Sequence, residues 1–158
     1  MTERDKYFMG RAIAMAEEGM NSNIGGPFGA VVVKNDEIIA EGCNSVTSTN
    51  DPTAHAEVVA IRKACEKLGT FQLEDCIIYT SCEPCPMCLG AIYWARPKKV
   101  FYGCTKEDAA AIDFDDQFIY EELDKGIDNR AINFIGLMRE EAVDVFKKWT
   151  AKTNKTAY

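Results

Sequence analysis

Apolar side chains recur every three to four residues near the start of the chain, at Phe8, Met9, Ile13, Ala16 and Met20. That spacing predicts an amphipathic helix over residues 2–18, buried through this face, with Gly19 near its end. The period then shortens. Residues 29–34 and 37–42 are rich in β-branched side chains and flank Asn35-Asp36, a pair suited to a tight turn, so the two runs are expected to form an antiparallel hairpin. A polar stretch at 44–52 leads into a helix over 53–68, closed by Gly69. Residues 76–80 form a short apolar run bounded by turn signals and read as a buried strand; a helix over 86–96 follows and is stopped by Pro97. The crossover places the next strand, 99–103, parallel to it. Short helices near 107–111 and 115–123, a strand at 131–138 and a last helix over 140–152 complete the pattern, and the tail 153–158 carries no core pattern of its own.

Strands that alternate with helices describe an α/β fold. The expected architecture is three-layer, α/β/α, around a mixed and mostly five-stranded sheet, in one domain spanning residues 1–158. No internal repeat or low-complexity segment interrupts it. The N-terminal residues are charged and have no apolar run behind them, so neither a signal peptide nor a membrane span is expected and a cytoplasmic location is.

The net charge is −7. Nucleic-acid binding draws on lysine and arginine contacts to phosphate, and Arg96, Lys98 and Lys99 are the one tight basic cluster, read as a solvated turn after a helix; an acidic chain of this kind argues against a nucleic-acid partner. The seven cysteines are an odd number and, outside one motif, lie in apolar surroundings, which suggests reduced thiols. Gly25-Gly26 is followed by no GxGxxG or Walker spacing and is not read as a phosphate cradle.

The exceptional cysteines lie in Pro84-Cys85-Pro86-Met87-Cys88, and a second polar motif, His55-Ala56-Glu57, stands thirty residues earlier. Imidazole nitrogen and thiolate sulfur suit a tetrahedral zinc ion, and three protein ligands leave a fourth position for water, as catalytic zinc requires. His55, Cys85 and Cys88 are the candidate ligands, for one zinc per subunit. A metal so held lowers the pKa of its water to about 7. Glu57, two residues beyond a ligand in the first turn of a helix, is placed to carry protons between that water and a substrate. The competing reading is a closed structural site, with Cys82 as fourth ligand through the overlapping Cys82-x-x-Cys85. It leaves Glu57 without a role, and a chain of this length needs no metal staple.

H-x-E followed by P-C-x-x-C is the pattern of the zinc nucleobase deaminases, and the chain resembles the cytidine-deaminase-like superfamily throughout. The resemblance runs through Gly25-Gly26-Pro27-Phe28-Gly29-Ala30, Asn50 to Glu57 and Tyr79 to Arg96. Phe114-Asp115-Asp116, Phe118-Ile119-Tyr120 and the terminal Tyr158 are similar more narrowly to the small bacterial guanine deaminases. That resemblance implies hydrolysis of guanine to xanthine and ammonia, with Phe28, Asn44, Ala56, Trp94, Asp116 and Tyr158 contacting the purine and Asp116 assisting Glu57 in catalysis. It also implies a homodimer in which a C-terminal segment, about 140–158, is exchanged between subunits. Each residue has a plainer reading: Asn44 as a turn cap, Phe28 and Trp94 as core, and Asp115-Asp116 as an acidic pair at a helix start. Two residues depart from the pattern, Asp113 before Phe114 and Ala157 before Tyr158. The nearest alternatives within the superfamily are a tRNA adenosine deaminase and a cytosine deaminase; outside it stands a non-catalytic zinc-binding module.

Overall fold

Thr2 starts the first helix by accepting from the Asp5 backbone N–H, while the Asp5 carboxylate accepts from the Thr2 backbone in return, a reciprocal cap that satisfies two orphan donors. The computed structural model describes residues 1–158 and runs helix α1 over Glu3–Asn21. Its buried face is Phe8, Ala12, Ala16 and Gly19, whereas Ile13 is 51% and Met20 45% exposed. The helix is therefore turned away from the expected Ile13 and Met20, while Gly19 lies in its last turn, near the end as expected. A Cβ on Gly19 would stand 2.7 Å from the Cys43 Cβ; the close approach of helix to strand needs the missing side chain.

Strands β1 (Gly29–Lys34) and β2 (Glu37–Cys43) form the expected hairpin, with Asn35 at φ 50° and Asp36 at φ 64°, both in the left-handed region that a two-residue turn of this type uses. A bulge between Val32 and Val33 shifts the register, so that Val32 faces Ala40 and Val33 faces Ile38. Strand β3 (Cys76–Cys82) pairs antiparallel with β1 and parallel with β4 (Lys99–Cys104), and the order across the sheet is β2-β1-β3-β4.

Alternation along the strands feeds two cores. Ala30, Val32 and Ile78 face one side and pack with Ala56, Ala60 and Ala64 of α3 (Ala56–Leu68) and Ile92 and Ala95 of α4 (Pro86–Ala95); Val31, Val33 and Tyr79 face the other, against Phe8 and Ala12 of α1. The result is the expected α/β/α layering around a mixed sheet, with four strands instead of five. Residues 131–138 form no strand. They join no hydrogen-bond ladder, and the first of them, Ala131, donates its N–H to the Glu122 carboxylate at 2.7 Å. A short apolar run has the pattern of a strand, but only a neighbouring strand makes it one.

The second helix, the single turn α2 (Val46–Thr49), falls in the stretch read as polar loop and ends at Asn50 with φ 52°. Helix α3 starts three residues later than expected, with His55 as its N-cap, and ends on left-handed Gly69. Helix α4 ends at Arg96, also left-handed at φ 55°, before Pro97. After α5 (Lys106–Ala110), the chain divides into two compact units, residues 1–116 and 117–158. The second unit holds α6 (Gln117–Asp124), a single 3-10 turn and α7 (Arg139–Ala151). No helix is long and apolar enough to cross a membrane.

Candidate functional site

Two helix starts bring the metal-ligating residues together. His55 is the N-cap of α3 and Cys85 the N-cap of α4, both with extended backbone, and neither side chain caps its own helix. Each is therefore free to point away from its own helix, into a shared space. Cys88 stands one turn beyond Cys85, on the same helix face, and Pro86 occupies the first helical position, where its missing N–H costs nothing.

His55 Nδ1 lies 3.5 Å from Cys85 Sγ and 3.5 Å from Cys88 Sγ, and the three donor atoms are all within 4.8 Å of one another. Zinc bonds of about 2.0–2.3 Å make the edges of a tetrahedron roughly 3.5 Å long. One nitrogen and two sulfurs at this spacing fit a zinc ion, and the nitrogen turned to the sulfurs is Nδ1. Cys82 does not join the cluster; it is buried, and its Sγ faces the Thr105 carbonyl at 3.6 Å. The ligand set has three protein members, so a fourth position is left for water, as an open catalytic site requires.

The electrostatics suit a cation. Cys85 is pushed down to about 4 by the hydrogen bond from the Cys88 thiol and by the His55 imidazole, whereas its bond to Cys85 and burial push Cys88 up. A bound cation favours thiolate at both sulfurs and displaces their protons. His55 is raised, chiefly by its bond to Cys85. The positive ends of two helix dipoles meet here and add to the stability of thiolate. Cys82, by contrast, is pushed up to about 11 by burial and stays a thiol.

Glu57 is a buried carboxyl beside this cluster. Its Oε2 lies 3.4 Å from Cys88 Sγ, and its Oε1 accepts from the Thr80 hydroxyl at 3.1 Å. Burial raises its pKa, against the bonds from Cys88 and Thr80 that lower it. A carboxyl whose pKa is raised by burial in this way is suited to taking and returning a proton. Thr80 drew no attention in the sequence; the signal was a hydroxyl on the inward face of β3 behind Cys76 and Ile78.

Asp116 follows α5. Burial raises its pKa, and so does the negative charge of Cys85. It precedes α6 (Gln117–Asp124), so the reading of an acidic residue ahead of a helix holds as well, and the two roles do not compete.

Asn44 is 6% exposed. Its Oδ1 accepts from the backbone N–H of Gly26 at 3.2 Å and of Val46 at 3.3 Å. The turn-cap reading is therefore correct for the oxygen, and the Nδ2 donor is the end left for a ligand. A Cβ on Gly25 would stand 2.2 Å from the Asn44 carbonyl oxygen and 2.4 Å from Oδ1; the glycine is there for close backbone passage.

Phe28 packs edge-on against Phe114 with ring centroids 4.9 Å apart, a contact the sequence did not reveal. The Ala56 side chain is wholly buried in the core, which leaves only its backbone N–H, at the first turn of α3, to meet a ligand. Trp94 is not core: it is 64% exposed on α4, about 9 Å along the axis from Cys88. Tyr158 belongs to the second unit and is 73% exposed.

The cytidine and deoxycytidylate deaminase zinc-binding region matches residues 2–104. Over 151 residues the chain is 60% identical to a guanine deaminase of Bacillus subtilis, covering 96% of this chain and 97% of that one. The crystal structure of guanine deaminase from Bacillus subtilis superposes with a TM-score of 0.95 and 58% identity, over 100% of this chain and 99% of the other. A tRNA-specific adenosine deaminase of Aquifex aeolicus is 35% identical over 126 residues, 80% of this chain and 81% of its own.

Proposed function

Because the chain belongs to the cytidine and deoxycytidylate deaminase family, we propose that it is a zinc-dependent aminohydrolase that converts guanine and water to xanthine and ammonia. The observation that carries the choice of substrate is the 60% identity to a guanine deaminase over 96% of this chain, an alignment that takes in Asp116, beyond the matched zinc-binding region.

His55, Cys85 and Cys88 hold the zinc, which when bound supplies an activated water at neutral pH. Guanine presents an N1–H and a 2-amino group side by side, two donors that the Asp116 carboxylate accepts together. Adenine and cytosine present a ring-nitrogen acceptor at that edge, and a carboxylate facing it loses about 1–3 kcal/mol or more. Asn44 donates Nδ2 to the purine, and Phe28, backed by Phe114, walls the ring. Glu57 takes one proton of the attacking water at Oε2 and delivers it to the ring nitrogen next to the reacting carbon; it then takes the remaining hydroxyl proton and, with Asp116, passes it to the amine, which departs as ammonia while the hydroxyl becomes the carbonyl of xanthine. Both groups work better with pKa values raised toward neutrality, the direction burial gives each of them.

The same reading includes a homodimer that exchanges residues 140–158, with Trp94 at the pocket rim and Tyr158 of one subunit closing the pocket of the other. Apolar side chains left open in the second unit support it, among them Ile135, Leu137 and Phe146. A cytoplasmic location agrees with seven free cysteines.

The test is ammonia release from guanine, guanosine, adenine, cytosine and a tRNA anticodon stem by zinc-loaded protein, with Glu57→Gln alongside. Guanine is the expected substrate, and Glu57→Gln should keep zinc and lose more than about a thousandfold in turnover. Turnover of RNA alone would replace this reading with that of the adenosine deaminase relatives.

A further inference from the structure

Thr80 is 1% exposed and lies on an interior strand: it pairs with Ala30 of β1 on one side and Tyr102 of β4 on the other. On the same face of β3, Cys76 and Ile78 belong to the apolar core. Valine would fill the volume of Thr80 equally well. A hydroxyl in such a place needs a hydrogen-bond partner, and the partner is Glu57 Oε1 at 3.1 Å.

The bond has a directional consequence. A carboxylate on a three-torsion side chain samples several orientations, and its terminal torsion is broad. Thr80 holds one oxygen from a β-branched side chain that is itself stiff at χ1, on a strand flanked by two others. The second oxygen, Oε2, is thereby left on the side of Cys88 Sγ, 3.4 Å away. One oxygen is anchored to the sheet, and the other is presented to the metal cluster.

We infer that Thr80 is a positioning residue for the deamination: its hydroxyl fixes the rotation of the Glu57 carboxylate so that Oε2 alone faces the reacting centre. The inference rests on the role proposed above for Glu57. Thr80 itself touches neither the ligand atoms nor, on this reading, the purine.

Thr80→Val removes the donor and keeps the shape; Thr80→Ser keeps the donor. In the zinc-loaded enzyme, Thr80→Val is expected to lower kcat for guanine about 10–100-fold, with KM unchanged and one zinc retained, and Thr80→Ser to recover most of the loss. In the cobalt(II)-loaded protein, Thr80→Val should shift the visible absorption bands in the same direction as Glu57→Gln does, and Thr80→Ser should not. Thr80→Ala is read the same way if the valine variant does not fold. Wild-type kcat in Thr80→Val, a serine variant as impaired as the valine one, or a fall in kcat only in parallel with lost zinc would each overturn the assignment. Were the wild type inert toward guanine, the proposed substrate would fail on its own, while the cobalt spectra would still decide whether Thr80 sets the carboxylate.

Discussion

Asn44 Oδ1 accepts from the backbone N–H of Gly26 at 3.2 Å, across eighteen positions of sequence, and this bond decides which end of the amide faces a ligand. Asn44→Asp keeps an acceptor for Gly26 and Val46 but replaces the Nδ2 donor with a second acceptor. The expected result is a folded protein whose KM for guanine rises about 10–100-fold, equivalent to about 1.4–2.8 kcal/mol of lost binding. Asn44→Ala should in addition lower Tm, because two backbone donors lose their acceptor. Thermal denaturation beside steady-state kinetics checks both.

Gly25 sits where no side chain fits, 2.2 Å from the Asn44 carbonyl oxygen at its would-be Cβ. Gly25→Ala must displace backbone rather than a flexible side chain, at a cost of about 1–3 kcal/mol. The same displacement moves Asn44, so KM should rise together with the fall in Tm. Chemical denaturation and kinetics on one preparation are the measurement, and a stable variant with unchanged KM contradicts the close passage.

Asp116→Asn turns a two-acceptor group into one that faces guanine with a donor. A buried site built to bond a substrate N–H discriminates strongly through such pairs. Guanine kcat/KM should fall at least a hundredfold, with zinc content unchanged, and the preference for guanine over adenine should narrow. Competition between the two bases in a single assay reads that ratio directly.

Removing the metal should reverse with one equivalent of zinc. Chelation is expected to abolish turnover and lower Tm, since the ion binds only the folded arrangement of His55, Cys85 and Cys88. Cys88→Ala should show neither the drop on chelation nor the recovery. Cys82→Ala should respond as the wild type does, because that thiol stands against the Thr105 carbonyl, away from the cluster. Calorimetric scans of the three proteins with titrated zinc are the measurement.

Asp5 ties the start of α1 to the sheet. Its carboxylate accepts from the Thr2 backbone at 2.6 Å and from the Tyr79 hydroxyl at 2.7 Å, and these bonds hold its pKa below the usual carboxylate range, the Thr2 bond most of all. A depressed folded pKa means stability that is present above the unfolded value, near 3.9, and is lost as pH falls through the folded one. Asp5→Asn should therefore melt below the wild type at pH 7, with the gap closing below about pH 4. Melting curves from pH 7 to 2.5 check the sign.

Much of this arrangement was legible in the chain itself. Period and turn chemistry located the hairpin at Asn35-Asp36, the crossover between β3 and β4, and the helix stops at Gly69 and Pro97, because these features depend on a few adjacent residues. The zinc-binding set was legible for a related reason: Cys85 and Cys88 are one helical turn apart, and His55-Ala56-Glu57 couples a ligand to an acid through local spacing alone.

Other features needed contacts that no local pattern encodes. The buried stripe of α1 runs through Ala12, Ala16 and Gly19 rather than Ile13 and Met20, because the helix passes close to Gly29 of β1 at Ala12 and Ala16 and to Cys43 of β2 at Gly19, where only small side chains fit. Residues 131–138 looked like a strand and form none, since pairing is a property of two segments. The hydrogen bond of Thr80 to Glu57 joins residues twenty-three apart, and the meeting of Phe28 with Phe114 spans still more chain. The sequence by itself determined which chemistry the chain carries, a nitrogen-and-sulfur zinc site with a carboxylate beside it. Only the tertiary structure decided which atoms face one another: Nδ1 of His55 toward both sulfurs, Oδ1 of Asn44 toward the backbone, and one oxygen of Glu57 held by Thr80, because atomic orientation is fixed by long-range packing and not by spacing along the chain.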